Sequence, residues 1–385
     1  MITPTARLDG GVAVHVQRSG EVLRAAGHEV LIAAADTAPE EEALEWPRAE
    51  QSGSAGAAWL ADRLDERAIE VAHVHGFEEP ALVSALSRVC ACVVSAHNWS
   101  GCAPGTRYFG AGRECGRRHG PGCVANMLFR NCNHRLDPRP IIGDYRKAGA
   151  RLEALTAAHL AVAHSRAVEA HLRMNGVTRT ALVPLPVNVP SGVAPMPPAP
   201  RVACVGRLTA VKGVDVLIRA ARSFEAPIDV CGDGYSRSRL ERLAERLGVA
   251  HRIAFHGWCS EAAVAAVVDA AQLVVVPSRY PEPFGMVGPE ALARGRPVVA
   301  SSTGGVSDWL HDGENGVAVP PGDHVALGRA IAALLSDPVR LQAMARAGRH
   351  SVQQRFTDRL HLAALMSAYE RALATFDRQP SARGR

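Results

Sequence analysis

Nowhere does this sequence hold an apolar run approaching the ~20 residues needed to cross a bilayer. Met1-Ile2-Thr3-Pro4 begins no signal peptide. Both absences point to a cytoplasmic protein. No repeat of the solenoid kind is present, which excludes a stacked-repeat architecture. No tight Cys-x-x-Cys knuckle occurs either. Four of the nine cysteines, Cys90, Cys92, Cys204 and Cys231, sit in or beside apolar strand patterns, where a cysteine is a small buried hydrophobe and implies no disulfide.

What is present is a long, apolar chain with alternating elements. At 385 residues and 47% hydrophobic content it exceeds what one core supports, so two globular domains are expected. Short apolar strands at Val30 to Ala35, Val71 to Val74, Cys90 to Ala96, His159 to Ala163 and Ala181 to Pro184 are separated mostly by helical stretches. A second alternating series runs from Val202 to Val319. Strand and helix in alternation imply an α/β protein with parallel, doubly wound sheets. From Pro184 to Pro200 the composition shifts to Pro, Val, Ala and Gly, the character of a linker. The expected division is a first domain 1–188 with an insertion at 102–147, a linker 189–200, a second domain 201–360 and a terminal helical segment 361–385.

Two motifs carry chemistry. Leu273-Val274-Val275-Val276 reads as a strand buried on both faces, and Pro277, Pro281 and Pro283 forbid further ladder pairing. Glu282 and Glu290 then lie eight positions apart across a rigid turn, able to serve one ligand from two sides. Gly285 permits close backbone approach, and Met286 to Ala293 reads as a helix whose first turn suits an anionic group. The second motif follows the strand Val202-Ala203-Cys204-Val205. Gly206-Arg207-Leu208-Thr209-Ala210-Val211-Lys212-Gly213 places two cations in one strand-to-helix loop, ahead of an apolar face of Val214, Leu217, Ile218 and Ala221. Two fixed cations beside a diphosphate stabilise the charge that grows as a sugar departs.

The stretch Ser278 to Glu290, continued by Gly-Arg-Pro-Val-Val-Ala at 295–300 and by Gly304-Gly305, resembles the Glu, seven residues, Glu signature of retaining glycosyltransferases of family 4, which have the GT-B fold. The resemblance implies two Rossmann-like domains facing across a cleft, with the terminal helix packing back on the first. It implies transfer from a nucleotide-diphosphate sugar without a protein nucleophile and without a catalytic cofactor. Glu282 would meet donor-sugar hydroxyls, Glu290 the ribose, and Arg207 and Lys212 the diphosphate. Gly232, Asp233, Trp258, Phe284, Gly285, Met286 and Val287 would complete the donor site, with Trp258 beside the nucleobase. In the first domain, Gly10 and Gly11 resemble the family's phosphate and acceptor loop, although only eight residues precede Asp9 where the family has a full strand. His97, after the strand ending at Ala96, resembles its active-site histidine. His73 and His75 match a common family strand and are read as packing residues.

Charge is uneven. Residues 1–101 hold 7 Arg and 15 Asp plus Glu, whereas residues 102–147 hold 9 Arg plus Lys against 3 acids. Aromatics for stacking are scarce there, only Tyr108, Phe109, Phe129 and Tyr145, so no nucleic acid partner is expected. An anionic acceptor, or an anionic membrane carrying a lipid-linked one, fits this block; so does a merely solvated loop. Cys102, Cys115, Cys123 and Cys132 fall in the same segment with His119 and His134, spaced by 12, 7 and 8 residues. They are candidates for a structural zinc, for disulfides or for unpaired thiols.

Three rivals remain open on sequence alone. A nucleotide-sugar 2-epimerase would share the fold and donor site. A hydrolase would use the two glutamates as an acid and base pair. A non-catalytic scaffold would bind through the basic loop.

Overall fold

A computed structural model of the chain describes residues 1–3, 11–34, 43–45, 53–76, 79–107, 113–130, 132 and 139–377. They fall into two compact units. The first takes the chain up to Pro186 and the segment from Asp358 onward; the second is built on Val187–Thr357.

In the first unit the strands are β1 (Ile2–Thr3), β2 (Ile32–Ala34), β3 (Ala43–Glu45), β4 (Val71–His75), β5 (Ala91–Ala96), β6 (Leu160–Ala163) and β7 (Thr180–Leu182). They form one parallel sheet in the order β3-β2-β1-β4-β5-β6-β7. Its helices are α1 (Gly11–Ala25), α2 (Gly53–Glu66), α3 (Pro80–Val89), α4 (Gly122–Phe129), α5 (Ile141–Ala157) and α6 (Arg166–Met174). The sequence periodicity is realised directly in β5, where all six residues are buried because helices cover both faces of the sheet. The first strand is only two residues long yet central, with Ile2 paired to Ala33 on one side and Val74 on the other.

The second unit repeats the plan. Strands β8 (Val202–Val205), β9 (Ile228–Cys231), β10 (Ile253–Gly257), β11 (Leu273–Val276), β12 (Val298–Ser301) and β13 (Gly316–Val319) make a six-stranded sheet in the order β10-β9-β8-β11-β12-β13. Helices α7 (Val214–Ala220), α8 (Arg237–Arg246), α9 (Glu261–Ala270), α10 (Val287–Ala293), α11 (His324–Leu335) and α12 (Pro338–Arg355) follow. Side-chain caps fix several helix starts. Ser260 accepts from the Ala263 N–H, Asp323 from Val325 and Ala326, and Asp337 from Arg340 with Pro338 in the first turn.

The last helix, α13 (Asp358–Phe376), starts three residues before the sequence-based boundary and belongs to the first unit. A bidentate pair sets that start: the Arg18 guanidinium donates to both oxygens of Asp358 at 2.8 and 3.0 Å. Leu365, Ala368, Tyr369 and Ala372 form the buried stripe of a 3.6-residue period and pack with Val93, Leu160, Val162 and Ala181. Tyr369 also places its hydroxyl 2.8 Å from His73 Nδ1. Removing the Leu365 side chain by Leu365→Ala is expected to destabilise the first unit by about 2–5 kcal/mol. Urea unfolding followed by a probe in that unit checks this, and an unchanged midpoint contradicts the docking of α13.

Candidate functional site

In an open parallel sheet, ligands bind beyond the carboxyl ends of the strands where the strand order reverses. The second sheet reverses between β8 and β11, which are neighbours although 67 residues separate Val205 from Leu273. The loop after β8 carries Arg207 and Lys212; the turn after β11 carries Glu282. The two motifs of the sequence therefore lie side by side.

Backbone contact locks them together. Gly213 has φ +69°, a left-handed conformation, and a Cβ there would lie 2.0 Å from the Pro277 carbonyl oxygen. The Arg279 N–H donates to the Val211 carbonyl at 2.8 Å, and the Arg279 guanidinium pairs with Asp215 at 2.5 Å. With the loops so close, Lys212 Nζ reaches Glu282 Oε1 at 2.7 Å. The same oxygen accepts from Ser278 Oγ at 2.5 Å, and Oε2 accepts from the Tyr280 hydroxyl at 2.9 Å. Glu282 is buried, so a charge on it requires these donors. Burial, then the Glu282 carboxylate beside it, hold the Tyr280 hydroxyl in its protonated, donating form well above the usual range. On the far side Gly304 is equally constrained: it has φ +60°, and a Cβ would meet the Glu282 carbonyl oxygen at 2.4 Å.

The remaining donor-site candidates divide by exposure. Arg207 and Glu290 are exposed, Glu290 in the first turn of α10, where Met286 is the cap and Val287 the first residue. Trp258 is 71% exposed just after β10. The Gly232 N–H donates to the Gly257 carbonyl at 2.7 Å, tying the loops after β9 and β10, and Asp233 Oδ1 accepts from the Gly234 N–H. Gly285 is a turn residue with half-open surroundings. Phe284 differs from the expectation: its ring is buried against Phe356, and its carbonyl accepts from Trp309 Nε1 at 2.6 Å. It is a core residue that shapes the turn from below.

In the first unit Gly11 opens α1, while Gly10 lies outside the described residues. His97 follows β5 and sits 2.9 Å, Nε2 to Nδ1, from His75 at the end of β4. Around them are His15, His73, His164 and His361. Burial, followed by the neighbouring imidazoles, holds His15 and His75 neutral far below the usual range; burial, then the N-terminal ammonium and the imidazoles, does so for His73, and burial then His164 for His97. Both ring nitrogens of His73 are engaged, Nδ1 with the Tyr369 hydroxyl and Nε2 with Ser95 Oγ, each at 2.8 Å.

The cysteine quartet shares one neighbourhood with Arg107. The Arg107 N–H donates to Cys102 Sγ at 3.2 Å, its guanidinium to the Cys115 carbonyl at 2.8 and 3.0 Å, and it lies over the Trp99 ring. Cys115 packs against Cys132 in a small core with Met127 and Ile141. All four are free thiols, and burial pushes the Cys132 thiol up to about 12. Among the described residues, the one group of metal-capable side chains whose ligand atoms converge is His15, His75 and His97, and the quartet is not such a group.

Residues 9–189 match the Glycosyltransferase Family 4 model, and residues 196–351 match that of Glycosyl transferases group 1. The chain belongs to glycosyltransferase family 4. Relatives include an uncharacterised glycosyltransferase of Methanocaldococcus jannaschii, 39% identical over 34% of this chain and 35% of that protein. The alpha-D-kanosaminyltransferase of Streptomyces kanamyceticus is 36% identical over 38% of this chain and 39% of that one. The chain thus spans well under half the length of these relatives. Two solved structures share the GT-B fold. The sucrose-phosphate synthase of Thermosynechococcus elongatus is 22% identical with a TM-score of 0.72, covering 95% of this chain and 94% of that one. HepE of Anabaena, in complex with UDP, is 18% identical with a TM-score of 0.70, covering 95% and 97%.

Within this family 4 chain the sequence reading missed Ser278 and Tyr280, whose hydroxyls complete the Glu282 shell. One signal pointed at Lys212 itself: of 43 Lys plus Arg only Lys147 and Lys212 are lysines, in a chain that otherwise uses arginine. A compact ammonium is what one carboxylate oxygen takes in so small a space. Lys212→Met is expected to destabilise the second unit by about 3 kcal/mol, below the top of the range for buried pairs because Lys212 is 25% exposed. Adding Glu282→Gln should restore most of that loss, since it removes the stranded charge. Urea unfolding of single and double variants is the check, and a double variant less stable than Lys212→Met contradicts the pairing.

Proposed function

We propose that this chain is a retaining glycosyltransferase that moves a hexosyl group from a nucleotide-diphosphate sugar to an acceptor hydroxyl. The observation that carries the reading is the Lys212–Glu282 pair at the reversal point of the second sheet, held by backbone contact, with the exposed Arg207 in the same loop as Lys212. The cations suit a diphosphate, and the carboxylate suits sugar hydroxyls. That Anabaena HepE, a protein of the same fold, has been crystallised with UDP and with UDP-glucose supports a nucleotide-sugar donor here.

The step balances without a protein nucleophile. The bond from the anomeric carbon to the phosphate oxygen breaks, and its electron pair leaves with the diphosphate, where Arg207 and Lys212 stabilise the added charge. The acceptor oxygen bonds the same face of the anomeric carbon, and its proton passes to the departing phosphate oxygen. Before donor arrives Lys212 is paired with Glu282, so a bound diphosphate draws on a cation already in position and incurs little reorganisation. His97 is assigned to the sugar from the first unit, and Gly10 and Gly11 to the phosphate and acceptor loop.

The acceptor belongs to polysaccharide, glycolipid or other glycoconjugate synthesis in this reading, presented at an anionic membrane surface. Supporting it, Leu128, Phe129 and Ile142 are exposed on α4 and α5 within the positively charged segment. A structural zinc at Cys102, Cys115, Cys123 and Cys132 would order that segment. The four thiols would have to draw together to hold it, since they do not converge as they stand, and loss of bound metal after Cys115→Ser tests it.

Glu282→Gln is expected to lower transfer by about 10² or more, because the charged partner matters most as positive charge develops at the anomeric carbon, with nucleotide affinity little changed. Equal turnover of variant and parent at saturating acceptor would remove Glu282 from the mechanism. Donor class follows from thermal stabilisation by UDP, GDP and ADP: the cognate nucleotide at 100 times its Kd should add ~2.7 kcal/mol. No response to any of them contradicts the reading.

A further inference from the structure

Three histidines from three elements, His15 on α1, His75 ending β4 and His97 after β5, each bring a ring nitrogen to within 4.8 Å of the others. Their hydrogen bonds determine which nitrogens hold lone pairs. The Pro184 carbonyl can only accept, so His361 Nδ1 carries the proton of their 2.9 Å bond. His361 Nε2 therefore accepts, and the Ser19 hydroxyl donates to it at 3.0 Å. Having spent its one proton, Ser19 Oγ can only accept from His15 Nδ1, 3.4 Å away. That leaves a lone pair on His15 Nε2.

His75 resolves the same way. Among the described residues its Nε2 is buried without a hydrogen-bond partner. A buried N–H without an acceptor is rarer in native proteins than an unpaired acceptor, so Nδ1 bears the proton and donates to His97, and Nε2 presents a lone pair. Beside them, His164 donates from Nδ1 to the Val183 carbonyl at 2.8 Å, and its Nε2 is also buried with no partner among the described residues. Its ring stacks 4.7 Å from that of His97 and lies 5.1 Å from that of His15. His15 and His75 are thus neutral imidazoles with one nitrogen committed to a protein acceptor and the other bare, the form in which histidine ligates transition metals, while the His97 Nε2 lone pair accepts from His75. With no carboxylate among them, the set favours zinc over magnesium or calcium.

We propose that His15, His75 and His97 form a zinc site, separate from the cysteine quartet, which takes the His97 ring out of use when filled. Three protein ligands leave a coordination position open for water. Filling the site with zinc–nitrogen bonds of about 2.0–2.1 Å requires the His75–His97 hydrogen bond to be given up. The inhibitory consequence rests on the assignment of His97 to the sugar; the metal site itself does not.

Two readouts keep these apart. Metal-stripped full-length chain is dialysed against zinc, and separately against cobalt(II), with elemental analysis and visible spectra. The expected result is an ion whose cobalt form shows ligand-field bands of a low-coordinate site without thiolate charge-transfer absorption. His75→Asn and His15→Gln should each weaken that ion's binding more than about tenfold, while circular dichroism confirms that they fold. His97→Asn, nearer the surface, serves as a third variant should a buried one unfold. Failure of the parent to bind an ion of this spectral type, or undiminished binding in the folded variants, overturns the site. Zinc at filling concentration should also suppress sugar transfer reversibly on chelation. Filling without inhibition supports the metal site and removes His97 from the sugar.

Discussion

Gly213 and the Pro277 carbonyl approach so closely that no side chain fits between them, and the charged site depends on that contact. It holds the loop after β8 against the turn after β11. Lys212, the residue before Gly213, is thereby delivered to Glu282 across 70 positions of sequence. The parallel sheet does the coarse work by making β8 and β11 neighbours at its reversal point. Backbone sterics then do the fine work, fixing the cation–carboxylate distance before any ligand arrives. Preorganisation of this kind is what makes fixed charges effective at a departing diphosphate, since water or flexible side chains would have to reorient.

Burial governs the chemistry of both units, with opposite results. Around Glu282 the protein supplies three donors, from Lys212, Ser278 and Tyr280, and a carboxylate is retained in a buried place. Around His97 the described residues supply imidazoles and hydroxyls and no carboxylate hydrogen-bond partner, so burial keeps the rings neutral and lone pairs remain unspent. A neutral cluster does not repel an incoming sugar hydroxyl or a metal ion, whereas a cluster of cations would repel the latter strongly.

Much of this was legible in the residues. An uninterrupted Leu273–Val276 run stopped by Pro277 admits little but a buried strand and a sharp turn, and Glu282 follows at once. Gly206, Arg207, Lys212 and Gly213 read as a strand-to-helix loop because glycine and charge interrupt two apolar patterns. What stayed hidden was pairing over long separations. Neither the Lys212–Glu282 bond nor the chain from His361 through Ser19 to His15 has a local sequence signature, since each depends on which strands become neighbours. The two-residue β1 and three-residue β3 are too short to show any period, and Phe284 sits in a motif whose glycines and charges suggested a ligand contact while its ring served the core.

The central claim is that Arg207 and Lys212 bind a diphosphate. Calorimetric titration of parent, Arg207→Ala and Lys212→Ala with the cognate nucleoside diphosphate, and then with the nucleoside lacking phosphates, tests it most directly. Each variant is predicted to lose roughly 1.5 to 3 kcal/mol toward the diphosphate, the worth of one charge-assisted hydrogen bond, and nothing toward the nucleoside. Unchanged diphosphate affinity in both variants would contradict the account and place the donor site elsewhere.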